Sequence, residues 1–361
     1  MKELRLMKGN EAVAEAAIRA GTDGYFGYPI TPQSEVLEYL MAEKPYERTG
    51  MVVLQAESEV AAINMLYGGG ACGKKVFTSS SSPGISLMQE GLSYMAGAQL
   101  PCIVLNVVRG GPGLGTIQPS QSDYFQSTKG GGHGDYRLIT LAPASVQEMY
   151  DFVELGYELA FKYRNPVLLL SDGLIGQMME KVQLSEQKVR RTEKEVIAQC
   201  PWATTGRTKD RQRNIITSLD LDSSKQELHN LVLQEKYKAC EEKEVRFEEY
   251  MLSDAEYALV AYGSSARICK KAIDMARQEG IKLGLLRPIT LWPYPSKKVA
   301  ELSKQVKGFL CVEMSMGQMI EDVKLAVNGT NKVEHFGRVG GIIPTPDEVI
   351  KAFKQKFIGG K

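Results

Sequence analysis

The sequence predicts an α/β protein: a doubly wound, mostly parallel sheet over residues 1–182, a charged linker over 183–252, and a smaller α/β domain over 253–361. Three observations carry this. Continuous apolar runs such as CIVLNVV at 102–108 and PVLLL at 166–170 suit parallel strands buried on both faces. Helical patterns separate these runs, as in Val36, Leu37, Leu40 and Met41. Between 183 and 252 the chain turns rich in Lys, Arg, Glu and Gln, with no strand signal.

In order, strands are expected over 24–28, 51–55, 75–79, 102–108, 137–141 and 166–170. Pro32 and Pro83 each suit the first turn of a helix, where proline's missing N–H costs nothing. Ser145 with Glu148 reads as a capping box opening a helix to about Tyr163. The charged stretch suits a linker with one or two surface helices. The second unit reads as strand 258–263, helix 264–278, strand 281–286, helix 296–305, strand 308–313 and helix 318–327. No repeat of about 20–50 residues is present.

Composition excludes several functions. Against 44 Lys+Arg stand 43 Asp+Glu, which gives no electrostatic reason for a nucleic-acid or membrane-surface partner. Six Cys and three His, with no C-x-x-C or H-x-x-x-H pair, disfavour a zinc ribbon, a cluster-ligand run and a disulfide framework, so no metal site is expected. Residues 1–20 lack the apolar stretch of a signal peptide, and no run of about 18 apolar residues occurs. The expectation is a cytoplasmic protein with reduced thiols.

Ligands of open parallel sheets bind at the carboxyl ends of strands. There the chain places Tyr28-Pro29-Ile30-Thr31-Pro32, then Gln55-Ala56-Glu57-Ser58-Glu59, then Thr78-Ser79-Ser80-Ser81-Ser82-Pro83-Gly84, and then Arg109 before a glycine-rich loop. Each has a plainer role. Thr31 suits an N-cap, Glu57 and Glu59 suit the positive end of a helix dipole, the serines suit a turn, and Arg109 suits a surface ion pair. His133, in a glycine-rich loop read as close to the same rim, suits either a mobile surface residue or a lid residue reaching substrate. His229 and His335 read as structural. The stretch 68–75, GGGACGKK, imitates a phosphate loop, but Lys75 replaces the hydroxyl and a helix precedes the loop where a strand is required.

Taken together, YPITP, QAE, TSSSSPG, Arg109 before its glycines, and SDG at 171–173 resemble the α subunit of 2-oxoacid:ferredoxin oxidoreductases. The wording is most similar to the α-type subunit of 2-oxoisovalerate (3-methyl-2-oxobutanoate) enzymes, strongly over 7–182 and more weakly over 252–352. The resemblance implies a thiamine-diphosphate-binding fold of the pyrimidine type followed by a transketolase-C-terminal-like domain. It implies CoA-dependent oxidative decarboxylation of a 2-oxo acid with electrons passed to ferredoxin. A β subunit would hold the diphosphate and magnesium; a γ subunit and a ferredoxin-like subunit would complete the complex, with iron–sulfur clusters on other chains. This chain agrees, lacking both G-D-G followed by N-N and a cysteine run.

Carried onto this sequence, the resemblance gives Glu57 the role of the carboxylate that activates the cofactor's aminopyrimidine, with Glu59 set aside as lying about 200° further round a helix. Arg109 would pair with the substrate carboxylate and Thr31 would donate a hydroxyl near the reacting carbon. Pro29 and Ile30 would contact the pyrimidine; His133, on the position of its loop alone, is the expected lid residue reaching substrate. Three alternatives stand: a 2-oxoglutarate enzyme, with Lys129, His133 or Arg137 meeting the distal carboxylate; a self-sufficient nucleotide-dependent enzyme; and a non-catalytic scaffold subunit.

Overall fold

The computed structural model describes residues 3–207, 209 and 211–359. Its strands, in chain order, are β1 (Glu3–Lys8), β2 (Gly24–Gly27), β3 (Val52–Gln55), β4 (Val76–Ser80), β5 (Cys102–Val108), β6 (Ile139–Leu141), β7 (Pro166–Asp172), β8 (Met179–Leu184), β9 (Phe247–Tyr250), β10 (Tyr257–Val260), β11 (Leu283–Pro288), β12 (Thr290–Trp292), β13 (Gly308–Glu313) and β14 (Lys332–Gly337). Seven form a sheet of order β12-β6-β7-β5-β4-β2-β3, parallel except for the edge strand β12. Five form a second sheet, β14-β13-β10-β11-β9, parallel except for β9. The expected α/β class with mostly parallel sheets is what the chain adopts.

The apolar run of β5 shows why. Cys102, Val104 and Val108 point into one core with the helices Glu59–Ala71 and Ser82–Gly97. Ile103, Leu105 and Val107 point into another with the helices Gly9–Arg19 and Val146–Tyr163. All six are fully or almost fully buried, each contributing about 1.5–3 kcal/mol on leaving water. The strand therefore reads as a run without polar alternation.

Several elements depart from expectation. β9 lies in the stretch expected to carry no strand; its Glu248 pairs with Lys270 and Arg287, so its charges belong to a half-exposed edge strand. β12 comes from the second unit but pairs antiparallel with β6 of the first sheet. β1 and β8 pair antiparallel, tying residues 3–8 to residues 179–184. β14 and the helix Pro346–Phe353 extend the second unit beyond the last expected element. Pro83 sits in the first turn of its helix, whereas Pro32 precedes a helix that begins at Ser34. The glycines at 68–70 lie inside the helix Glu59–Ala71, and the left-handed Gly73 follows its end; helix, loop and strand stand in the order opposite to a phosphate loop.

The two sheets share one core, in which Val104 and Leu168 join Val260, Leu286 and Phe309. A buried polar network closes the same seam. Gln121 donates to the Tyr262 carbonyl at 2.9 Å and accepts from Ser265 Oγ at 2.7 Å and the Met314 N–H at 3.0 Å, which uses both lone pairs of its amide oxygen. Asp172, at the end of β7, accepts from Ser264 Oγ at 2.7 Å and from the N–H groups of Leu174 and Ile175. Burial pushes the Asp172 carboxyl up, and these donors oppose the shift. Ser264→Ala is expected to lower stability by about 1–3 kcal/mol, because it removes a donor from a buried acceptor; the urea midpoint measures it.

Candidate active site

The strand order locates the site. From β2 the chain moves to β3 on one side and returns to β4 on the other, so β2 is a topological switch point, and ligands bind outside the carboxyl ends of such strands. The loops after β2, β3, β4 and β5 gather there.

The loop after β2 is anchored from within. Gln33 is fully buried: its Oε1 accepts from Ser79 Oγ at 2.6 Å, its Nε2 donates to the Tyr28 carbonyl at 3.1 Å, and its N–H donates to the Ile30 carbonyl at 2.9 Å. Asn10 and Gln177 donate to the Pro32 carbonyl at 2.7 and 3.1 Å. Sequence reading missed all three, since lone amides carry no motif. Thr31 is not an N-cap, because Gln33 holds that position; its side chain is exposed, while Pro29 and Ile30 are half-buried beside it. Gln33→Ala is expected to cost about 1–2 kcal/mol by removing one of the two buried partners of Ser79 Oγ, the other being the Tyr25 hydroxyl, and by freeing this loop. Chemical denaturation checks it.

The two glutamates exchange their expected places. The helix begins at Glu59, with Ser58 as its N-cap accepting from the Ala61 N–H at 3.2 Å. Glu57 thus precedes the helix, and the angular argument that set Glu59 aside does not apply. Glu57 is exposed and accepts from Ser58 Oγ. Glu59 is only 6% exposed, and among the described residues no side chain or N–H donates to its carboxylate. It lies in the first helical turn, where the dipole favours negative charge. Gly84 makes room for it: an added Cβ there would meet Glu59 Oε1 at 2.5 Å and collide with the Ser80 hydroxyl. Among the described residues the buried hydroxyls of Thr78, Ser80 and Ser81 likewise have no partner. Such groups are costly to bury unpaired, which makes the Ser80 hydroxyl beside Glu59 a candidate part of a polar site.

Arg109 is 7% exposed, and among the described residues no carboxylate lies within ion-pair distance, which removes its plainer role. Its Nη1 donates to the Thr31 carbonyl at 2.9 Å and its Nη2 to the Leu114 carbonyl at 3.3 Å, while Nε is buried without a partner. Ser82 fixes its backbone: the Arg109 N–H donates to Ser82 Oγ at 3.1 Å, and that hydroxyl donates to Asp123 at 2.7 Å. Asn106 closes the triangle, donating to Asp123 at 2.9 Å and accepting from the Ser82 N–H at 3.1 Å. Burial pushes the Asp123 carboxyl up against the opposing pull of both donors. Asp123 escaped sequence reading because only the fold brings it to Arg109. A cavity of about 650 Å³ opens here, lined by Arg109, Ser82 and Asp123 from the first unit and Ser315, Met316 and Gln318 from the second.

His133 is not at this rim. Ser93 donates to its carbonyl at 2.7 Å and Tyr94 meets its ring edge-on. Both lie near the far end of the helix whose first residue, Ser82, touches Arg109. Eleven residues of helix span about 16 Å. Lys129 pairs with Asp322, and Arg137 donates to the carbonyls of Lys129 and Tyr136.

A family model described as pyruvate flavodoxin/ferredoxin oxidoreductase, thiamine diP-bdg, matches residues 15–240, and one described as pyruvate:ferredoxin oxidoreductase core domain II matches 255–349. The chain belongs to this oxidoreductase family. A ketoisovalerate oxidoreductase subunit VorB of Methanothermobacter marburgensis is 50% identical over 351 residues, 97% of each chain. The 2-oxoglutarate synthase subunit KorA of the same organism is 35% identical, over 97% of this chain and 98% of that one. Among solved structures, a 2-oxoglutarate:ferredoxin oxidoreductase from Magnetococcus marinus with 2-oxoglutarate, coenzyme A and succinyl-CoA bound is similar with a TM-score of 0.84 at 27% identity. The match covers 98% of this chain and 65% of that longer one. A split gene transketolase, at 13% identity and a TM-score of 0.61, shares the fold alone.

The family's cofactor fits half of what this site offers. The donor-free Glu59 carboxylate and the orphaned Ser80 hydroxyl near it suit an aminopyrimidine ring, which brings N–H groups and ring nitrogens. Among the described residues no cluster of three or more His, Cys, Asp or Glu could hold a metal ion.

Proposed function

We propose that this chain is the pyrimidine-side subunit of a thiamine-diphosphate-dependent 2-oxoacid:ferredoxin oxidoreductase. The complex converts a 2-oxo acid and CoA to acyl-CoA and carbon dioxide and passes the released electron pair to ferredoxin. The reading rests above all on one juxtaposition: a buried carboxylate without a donor and a buried guanidinium without a counter-ion, around one switch point. When bound, thiamine diphosphate supplies the nucleophilic carbon that attacks the 2-oxo group. Glu59, in place of Glu57, shares a proton with the pyrimidine ring nitrogen. Pro29 and Ile30 border the ring. Arg109 pairs with the substrate carboxylate in a geometry set by Ser82 and Asp123, and the Thr31 hydroxyl, exposed beside it, reaches the reacting centre. His133 has no part in this site. A β subunit holds the diphosphate and magnesium, and γ and ferredoxin-like subunits carry the rest in the cytoplasm.

The preferred substrate is 2-oxoisovalerate, supported by the 50% identical ketoisovalerate relative. A 2-oxoglutarate enzyme needs a second cation at the site, and Lys129, His133 and Arg137 are engaged elsewhere or remote from it. The test is to purify the chain alone and then with its partner subunits. Alone it is expected to be inactive; together they should reduce a low-potential acceptor only when 2-oxoisovalerate and CoA are both present. Activity from the isolated chain, or a thiamine-free active complex, overturns the proposal.

A further inference from the structure

We infer that Gln318, on the second unit, is a positioning residue for substrate binding: it caps a short helix in place of Asp123 and so leaves the Asp123 carboxylate free to fix Ser82 and, through it, Arg109. This rests on the reading of Arg109 as the partner of the substrate carboxylate. Asp123 immediately precedes the helix Tyr124–Thr128, at the position whose side-chain oxygen ordinarily accepts from the second or third N–H of the helix. Among the described residues its carboxylate makes no such bond. It accepts instead from Ser82 Oγ at 2.7 Å and from Asn106 at 2.9 Å, and the same Ser82 hydroxyl receives the Arg109 N–H at 3.1 Å. The helix donor left over goes to Gln318, whose Oε1 accepts from the Phe125 N–H at 2.8 Å. Its Nε2 donates to the Ser122 carbonyl at 2.7 Å. One amide therefore grips the backbone on both sides of Asp123.

Gln318 is itself held in place. Glu313, fully buried at the end of β13, accepts from the N–H groups of Gln318 at 3.1 Å, Met319 at 2.8 Å and Ile320 at 3.1 Å. Ser315 Oγ donates to the same carboxylate at 3.1 Å and accepts from the Gly317 N–H at 3.1 Å, which closes the turn before Gln318. The loop it grips is stapled to the same place: the Gln121 N–H donates to the Met314 carbonyl at 2.9 Å, and Ser120 Oγ donates to that carbonyl at 3.2 Å. The second unit thus sets the register of the Asp123 loop, and a hydrogen-bonded chain runs from Glu313 through Gln318, the Asp123 loop and Ser82 to the backbone of Arg109.

Gln318→Met, which keeps the length of the side chain but neither hydrogen bond, tests this in the assembled complex, alone and combined with Arg109→Ala. Alone it is expected to raise KM for 2-oxoisovalerate about 10-fold, the size of the hydrogen bonds lost, with kcat near wild type because ground-state and transition-state binding weaken together. Added to Arg109→Ala it is expected to change KM by less than about 2-fold, since residues that act through one another are not additive. An unchanged KM in Gln318→Met overturns the assignment. So does a 10-fold effect that persists without the guanidinium, which would mark a direct substrate contact or a general loss of packing, and so does loss of assembly, which would make the amide a structural staple. An Arg109→Ala complex with wild-type KM overturns the underlying reading of Arg109 instead.

Discussion

Glu59→Gln in the assembled complex is expected to cut 2-oxoacid-dependent acceptor reduction by about 100-fold or more, while Glu57→Gln keeps most of it. The glutamine fills the same space beside Gly84 but cannot share a proton with a ring nitrogen, and a positioned acid–base group is worth about 10²–10⁴ in rate. The contrast between the two variants matters more than either alone. Glu57 lies outside the helix and in solvent, held only by Ser58 Oγ, whereas Glu59 is buried in the first turn with no donor of its own. Equal losses in both variants would separate burial from catalysis and undo the assignment.

Arg109→Ala is expected to raise KM for the 2-oxo acid about 30-fold or more, equivalent to roughly 2 kcal/mol for losing one side of a desolvated charge pair. Arg109→Lys should recover part of this, because it keeps the charge but not the planar fork that also holds the Thr31 and Leu114 carbonyls. Both variants should fold, since the backbone of residue 109 is fixed independently by Ser82. A KM unchanged in Arg109→Ala would leave the guanidinium a purely structural clamp on the two loops.

Much of the architecture was legible because burial on both faces of a parallel strand writes itself as an apolar run. β5 matches its expected span residue for residue, and β4 and β7 match within two. The short or half-exposed strands were not legible. β12 has three residues between prolines, and β9 carries charges whose partners, Lys270 and Arg287, lie far along the chain. The site was legible as a set of strand ends but not in its detail. Telling Glu57 from Glu59 requires knowing on which side of Ser58 the helix starts and that a glycine 25 residues later leaves space for one carboxylate. The expected place of His133 failed for a related reason: closeness in sequence to a rim strand says nothing about which end of the helix Ser82–Gly97 the loop returns to.

Under the proposed function this chain contributes the activating carboxylate, Glu59, to a thiamine site completed by another subunit. The most direct test is the exchange rate of the thiazolium C2 proton with deuterium in the purified complex, read by acid quench and NMR at matched thiamine diphosphate content. Exchange is expected to slow about 100-fold or more in Glu59→Gln and to stay near wild type in Glu57→Gln. Wild-type exchange in Glu59→Gln would contradict it.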